Sequence, residues 1–373
     1  MDNRITSAAI KNFKSIKELE LKDCRRVNLF IGKPNTGKSN ILEALSMFCG
    51  PMSFVDQAFL SPFIRFNLYN DLFSGNDVKN PIYVRTNLNT LRLRWHFADA
   101  FEFVIDTPDE EVIQSLPQDG RLQEIQNIFN QELSKYGTKH PNKSRSLFFK
   151  VLSSDKNNDA NKGYNENYIS PIRKYYFQKG VKHGNPFSIF LVAPNGNNLP
   201  AVLYQQPDLL EFLGQMIHEE YGLSLSIVQA KNQILLQQSK GYFSSTVEFD
   251  LISDTLQRLM FYTAAIASNS ESILLLEEPE VHSFPPFLSI IADRIARDEK
   301  NQYFITTHSP YLLNTILSNI NKEDVAVNIV DYIDFQTYVR RITEEEISEV
   351  LSYGPGGSAM DVFFNLEKFP MNG

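Results

Sequence analysis

Cysteine is nearly absent from this 373-residue chain: Cys24 and Cys49 are the only two. That excludes a disulfide framework and a cysteine-based zinc site, and it suits two buried thiols in a reducing compartment. Long apolar runs are also missing. No stretch approaches the roughly 18 residues that a membrane span requires. The first residues, Met1-Asp2-Asn3-Arg4, lead into a short alternating segment without the apolar core of a signal peptide. No internal repeat and no sustained heptad occurs, so a long coiled-coil arm is not expected. These absences predict a cytoplasmic protein with no membrane contact. A hydrophobic content of 42% and a charged content of 21% are ordinary for a folded chain of two or three units.

Positive charge is scarce overall, because the net charge is −8, which argues against a whole surface built for polyanions. It is concentrated, however. Between Lys139 and His183 ten basic residues face only Asp155, Asp159 and Glu166, a net +7. Phe148, Phe149, Tyr164, Tyr168, Tyr175, Tyr176 and Phe177 are interleaved with them. Basic-plus-aromatic composition is what nucleic-acid grooves use, so 139–183 is a candidate DNA or RNA surface. A solvated lysine-rich insertion with ordinary core aromatics explains it equally.

Regular alternation occupies the two ends of the chain. Arg4 to Ile10 and Val27 to Ile31 read as strands, the second apolar on nearly every residue, as a strand buried on both faces should be. A helix with Ile41, Leu42, Ala44, Leu45 and Phe48 at helical spacing stops near Gly50-Pro51. After about residue 245, helices over 255–267, 286–297 and 310–318 alternate with strands over 273–276, 303–306 and 325–330. Strands separated by helices imply parallel order. Between the ends, 51–105 reads as mixed strands and loops, including 81–84 and 91–95. A helical pattern runs from Asp106 to about Tyr136, and 155–167 is polar enough for an exposed loop. The expected organisation is an N-terminal lobe over 1–105, an inserted helical or mixed subdomain over 106–240 and a C-terminal lobe over 241–373.

Three motifs carry chemistry. Gly32-Lys33-Pro34-Asn35-Thr36-Gly37-Lys38-Ser39 satisfies G-x-x-x-x-G-K-[ST] between a strand and a helix. Its backbone N–H groups would cradle phosphates at a positive helix end, Lys38 would reach the β- and γ-phosphates, and Ser39 would bind Mg²⁺. Ile273 to Leu276, an apolar strand, ends in Glu277-Glu278. There the first acid can serve Mg²⁺ and the second can polarise water. Thr306-Thr307-His308-Ser309-Pro310 follows the next strand, placing a histidine where it can meet a γ-phosphate or its attacking water. Ligands of open α/β sheets collect beyond the strands' C-terminal ends, so the three should converge. Asn321-Lys322-Glu323-Asp324 matches the guanine-reading N-K-x-D of GTPases. It precedes a strand instead of following one, and no D-x-x-G stands between it and Gly32, which disfavours a GTPase.

These residues resemble the ABC-type ATPases of the RecF, SMC and OLD groups. The segment Ile10-Lys11-Asn12-Phe13-Lys14-Ser15-Ile16 is similar to their N-terminal strand motif. Gly32 to Asn40 and the helix Ile41 to Leu45 resemble their Walker A. Glu277 to His282 resembles Walker B and the D-loop, and Thr307 to Pro310 the switch histidine. The likeness covers about 1–50 and 245–320. It implies an α/β ABC-type P-loop NTPase with a mainly parallel sheet flanked by helices and an N-terminal antiparallel β-subdomain. It also implies ATP and Mg²⁺ as cofactors, held by Lys14, Gly32, Lys33, Asn35, Thr36, Gly37, Lys38, Ser39 and Asn40, with Ser39 and Glu277 at the metal. Glu278, His308 and Lys38 would be catalytic. Two copies would close around two nucleotides, with Ser253, before an apolar helix, reaching the phosphate of the opposite subunit. A plain helix cap is the other account of Ser253. The sequence departs from the family pattern at Glu277, where Asp is commoner, and in the missing glycine after Ser253. Gln57 is a weak candidate for the family's glutamine loop. OLD nucleases carry a Toprim domain, for which about 50 residues after Val325 are too few. Any nuclease is therefore expected on a separate effector chain. DNA repair or phage defence is the implied setting, and a protein-binding scaffold that never touches nucleic acid is the alternative.

Overall fold

The computed structural model describes residues 3–352, apart from 53–58, 97–99, 118–120, 140–146, 154–169, 188 and 241. Gln57 and the polar stretch 155–167 lie outside the described residues.

The N-terminal hairpin pairs β1 (Ala8–Phe13) with β2 (Ile16–Leu21). Strand β1 starts later than the expected Arg4, because side chains claim the earlier backbone. Gln302 Oε1 accepts the Ile5 N–H at 2.8 Å, and Asn87 Oδ1 accepts that of Thr6 at 2.8 Å. Next comes β3 (Val27–Ile31), buried at every residue, then α1 (Lys38–Ser46). The strands β4 (Ile82–Thr86), β5 (Thr90–His96), β6 (Ala100–Asp106) and β7 (Phe148–Ser153) extend the hairpin into an antiparallel sheet of order β2-β1-β4-β5-β6-β7. On one face of this sheet Glu102 is fully buried and accepts from Arg92 and Arg94. Its carboxyl is held down to about 2, since His96 and the two guanidinium groups outweigh burial. Removing one partner of such a buried pair costs about 3–5 kcal/mol.

The helical pattern after Asp106 is broken, not continuous. Helix α2 (Glu111–Ser115) ends before Pro117, which disfavours helical geometry in its predecessor, and α3 (Leu122–Lys139) follows. Both pack on the antiparallel sheet through Val104, Ile113, Ile125, Phe129 and Phe149. Strand β8 (Ile172–Tyr175) instead joins the other large sheet. Helices α4 (Leu199–Tyr204) and α5 (Pro207–Tyr221) share its core, and β9 (Ser224–Val228), β10 (Gln233–Lys240) and β11 (Phe243–Glu248) form a small antiparallel sheet. Strands of the segment 106–240 thus pair into three different sheets: β7 into the first, β8 into the second, and β9 and β10 into the small one. Periodicity cannot reveal this, because sheet membership is a long-range property.

The C-terminal part supplies α6 (Asp254–Ser268), β12 (Ile273–Glu277), α7 (Pro285–Arg297), β13 (Gln302–Thr306), α8 (Pro310–Asn319), β14 (Val325–Ile333), β15 (Gln336–Arg341) and α9 (Glu344–Ser352). The second sheet has the order β15-β14-β3-β13-β12-β8, parallel except for its β15 edge. Strand β3 lies between β14 and β13, and Phe30 stacks on Phe304 at 6.3 Å. Registers align Glu277 with Thr306, and Thr306 with Phe30, so three motif-bearing strands end side by side.

Candidate functional site

The loop after β3 is shaped by contacts that only glycine permits. Gly37 has φ +97, and a Cβ there would lie 2.0 Å from Thr337 Oγ1. A Cβ on Gly32 would lie 2.2 Å from the Val330 carbonyl oxygen. The β14–β15 hairpin therefore presses directly on the loop, and Thr337 Oγ1 also donates to the Thr36 carbonyl at 3.0 Å. Asn35 is left-handed, at φ 63, and Thr36 Oγ1 donates to Lys33 O at 3.0 Å. Lys38 is buried, and its Nζ donates to Gly32 O at 3.1 Å and Lys33 O at 2.6 Å.

Burial pulls the Lys38 ammonium down to about 8, with Glu278 and Glu280 opposing the shift. A bound polyphosphate favours the charged form, so binding takes up a proton where Lys38 is neutral. Nucleotide affinity should therefore be level below pH 8 and fall as pH rises beyond it, by up to about tenfold per unit. Calorimetric titrations between pH 7 and 9.5 check this. A flat profile would show that Lys38 does not meet the phosphates.

Ser39 follows Lys38 on α1, and its hydroxyl faces the carboxylate of Glu277, the last residue of β12, closely enough to favour its ionised form. Burial would raise the Glu277 carboxyl, but Lys174, Arg65 and Ser39 together hold it below its usual range. Glu277 Oε2 is 3.0 Å from Lys174 Nζ, and Oε1 is 2.8 Å from Arg65. Glu278 adopts a left-handed turn (φ 43), with its N–H on Thr306 O at 3.0 Å. Its Oε1 lies 3.5 Å from His308 Nε2. Burial, then the Lys38 charge, depresses the His308 imidazole, so it is neutral at pH 7. The three motifs converge.

Other expected ligands are placed differently. Lys14 Nζ pairs with the buried Glu43 and donates to Arg65 O at 2.7 Å. Asn40 Nδ2 donates to Ser15 Oγ at 2.7 Å, tying α1 to the β1–β2 turn. Ser253 caps α6, accepting from Leu256 N at 3.4 Å, and is exposed. A cap is worth about 1 kcal/mol, so the capping role accounts for the residue within one chain.

Sequence reasoning missed Glu43, Arg65 and Lys174. Arg65 bridges Glu43 and Glu277, while Lys174 reaches Phe63 O at 2.8 Å as well as Glu277. Arg65 and Lys174 border a cavity of about 360 Å³ between Phe63, Tyr176, Arg258 and Glu278. Glu43 was visible as an acid on the apolar face Ile41–Leu45, but nothing local betrayed the other two. The basic stretch also changes character. Lys150, Arg173 and Lys174 are largely enclosed, with Arg173 lying over the Phe190 ring and Lys150 over that of Phe59. Phe148, Phe149 and Tyr175 are core residues. Lys143, Arg145, Lys156 and Lys162 lie outside the described residues.

Among the described residues no group of three or more His, Cys, Asp or Glu could hold a metal unaided. Mg²⁺ with a nucleotide needs only one or two protein oxygens beside phosphate and water, and Ser39 with the ionised Glu277 fits that demand. None of the described helices is long and apolar enough to cross a membrane.

Residues 27–314 match the family described as "AAA domain, putative AbiEii toxin, Type IV TA system". The chain belongs to this AAA family. This AAA domain is 22% identical over 354 residues to an ATP/GTP phosphatase of Helicobacter pylori, covering 86% of this chain and 90% of that one. It is 48% identical over 44 residues to an uncharacterised protein of Methanocaldococcus jannaschii, covering 12% of this chain and 20% of that one. In fold it is similar to an SMC head crystallised with the C-terminal winged-helix domain of ScpA, with TM-score 0.50, 13% identity, and 93% and 99% of the two chains covered. The AAA domain is thus an α/β P-loop ATPase fold like that of SMC heads.

Proposed function

We propose that the protein binds ATP with Mg²⁺ and hydrolyses it to ADP and phosphate in a dimer, coupling nucleotide state to a separate effector. The carrying observation is the junction of β3, β12 and β13, where Lys38, Ser39, Glu277, Glu278 and His308 meet. Gly32, Lys33, Asn35, Thr36 and Gly37 would wrap the phosphates with backbone N–H groups at the start of α1. Ser39 and Glu277 would hold Mg²⁺, which neutralises charge on the β- and γ-phosphates. Glu278 orients and deprotonates the attacking water, and neutral His308 donates to the γ-phosphate or accepts from that water. Lys14 and Asn40 would act at one remove, by fixing α1 and the loop beside it. Ser253, exposed at the start of α6, would complete the site of the opposite copy.

The setting implied by the RecF/SMC/OLD likeness is DNA repair or phage defence in the cytoplasm. The enclosure of Lys150, Arg173 and Lys174 favours the second reading, a nucleotide-gated scaffold that binds only protein. Lys174 in particular serves Glu277 and is no candidate for nucleic acid.

Phosphate release with Mg-ATP, with and without DNA or RNA, tests both readings. Turnover of ATP by the wild-type protein is expected. No release, together with no calorimetric heat from ATP and Mg²⁺, would remove the proposal. Salt-sensitive binding of DNA or RNA would remove the scaffold reading.

A further inference from the structure

Glu280 has no part in the chemistry above, yet it connects the two loops that carry it. It lies three residues after Glu277, between β12 and α7. Its Oε1 accepts from Thr307 Oγ1 at 2.8 Å and from the His308 backbone N–H at 2.6 Å. One carboxylate oxygen therefore joins the ends of two adjacent strands. Its Oε2 is enclosed and has no hydrogen-bond partner. Burial pushes this carboxyl above its usual range, and the neighbouring Glu278 adds to the effect, while the His308 and Thr307 donors and its own backbone N–H oppose it. Keeping an enclosed acid with one unmatched oxygen is costly, and any apolar residue would fill the space more cheaply.

The two bonds have a geometric consequence. One holds the His308 backbone and the other the Thr307 side chain, while the Glu278 N–H is held by Thr306 O. With both main chains tied, His308 Nε2 stands 3.5 Å from Glu278 Oε1. We propose that Glu280 is the positioning residue of the hydrolytic centre: it locks the Thr307–His308 loop to the Glu278 turn and so sets the spacing of imidazole and carboxylate around the attacked phosphate. This rests on the hydrolytic reading of Glu278 and His308. Glu280→Gln is the conservative variant, since a carbonyl oxygen can accept both donors while its amide fills the side where Oε2 is unmatched. Glu280→Ala removes both bonds.

The test combines steady-state hydrolysis, affinity for a non-hydrolysable ATP analogue, and hydrogen exchange of the segment around His308. In Glu280→Ala, kcat should fall about 30- to 100-fold, the loss typical of a reacting group misplaced by roughly an ångström. Analogue affinity should stay within about twofold, because the phosphate loop is untouched. Exchange around His308 should quicken by about tenfold or more as its amide loses its acceptor. Glu280→Gln should restore kcat to within about threefold of wild type. An unchanged kcat in Glu280→Ala, a parallel loss of kcat and affinity, or a Gln variant as impaired as Ala would overturn the proposal. If Glu280→Ala does not fold, Thr307→Val removes one of the two donors and should show a smaller kcat loss at unchanged affinity. A parallel loss of both would again overturn it. A wild-type protein that hydrolyses nothing would sink the functional reading, whereas unchanged His308 exchange in Glu280→Ala would sink the clamp itself.

Discussion

Glu278→Gln should lower the rate of ATP hydrolysis by about 100- to 10,000-fold while leaving nucleotide affinity within a few-fold of wild type. That corresponds to roughly 3–5 kcal/mol of barrier. The substitution is nearly isosteric and keeps the left-handed turn and the bond from the Glu278 N–H to Thr306 O. The amide that faces His308 can still orient water but cannot take its proton. Because the bound nucleotide then persists, any dimer stabilised by ATP should accumulate. Size-exclusion chromatography with saturating Mg-ATP should show it. A variant that hydrolyses at the wild-type rate would remove Glu278 from the mechanism, and one that stays monomeric would remove the shared-nucleotide arrangement.

The second large effect is expected at Lys38. Lys38→Met should weaken ATP binding about 10- to 100-fold, the worth of one charge-assisted hydrogen bond to phosphate at 1.5–3 kcal/mol, and should abolish measurable turnover. The loss has two sources that calorimetry and melting separate. Lys38 Nζ supplies charge, and it also bonds Gly32 O and Lys33 O across the loop. If only the loop bonds mattered, affinity would fall together with thermal stability. If the charge dominates, melting shifts little while the calorimetric affinity collapses. Affinity equal to wild type would mean that phosphate binds elsewhere.

The placement of these two residues beside Ser39, Glu277 and His308 was readable because the motifs that carry them are local. A phosphate loop needs glycines and a lysine at fixed spacing before a helix, and acids or a histidine matter only directly after an apolar strand. The uninterrupted apolar runs of β3 and β12 likewise announced strands buried on both faces. Other readings depended on partners remote in the chain. Ser253 was visible as a cap, and its capping bond is present, but its meeting with a phosphate requires a second copy.

The division of 106–240 among three sheets was decided by tertiary structure, because β7 completes an antiparallel face, β8 extends a parallel edge, and β9 and β10 pair with β11 in a small sheet. So was the fate of the basic stretch. Lys174 looks like any other lysine in sequence, yet strand pairing beside β12 delivers it to Glu277. Arg65 reaches the same carboxylate from 212 positions away and also binds Glu43. Composition counts such charges as surface, since isolated cations rarely leave water. Folding encloses Lys174 here because it finds the Glu277 carboxylate and the Phe63 carbonyl at bonding distance, whereas Arg65 stays exposed and bridges Glu43 and Glu277 from the surface. The sequence by itself determined the phosphate loop, the acids and histidine that face it, and the strands that carry them, all through patterns spanning fewer than ten residues. Which charges surround Glu277, and which acid ties its turn to the His308 loop, followed only from the strand order, because that order alone brings residues far apart in the chain within hydrogen-bond reach.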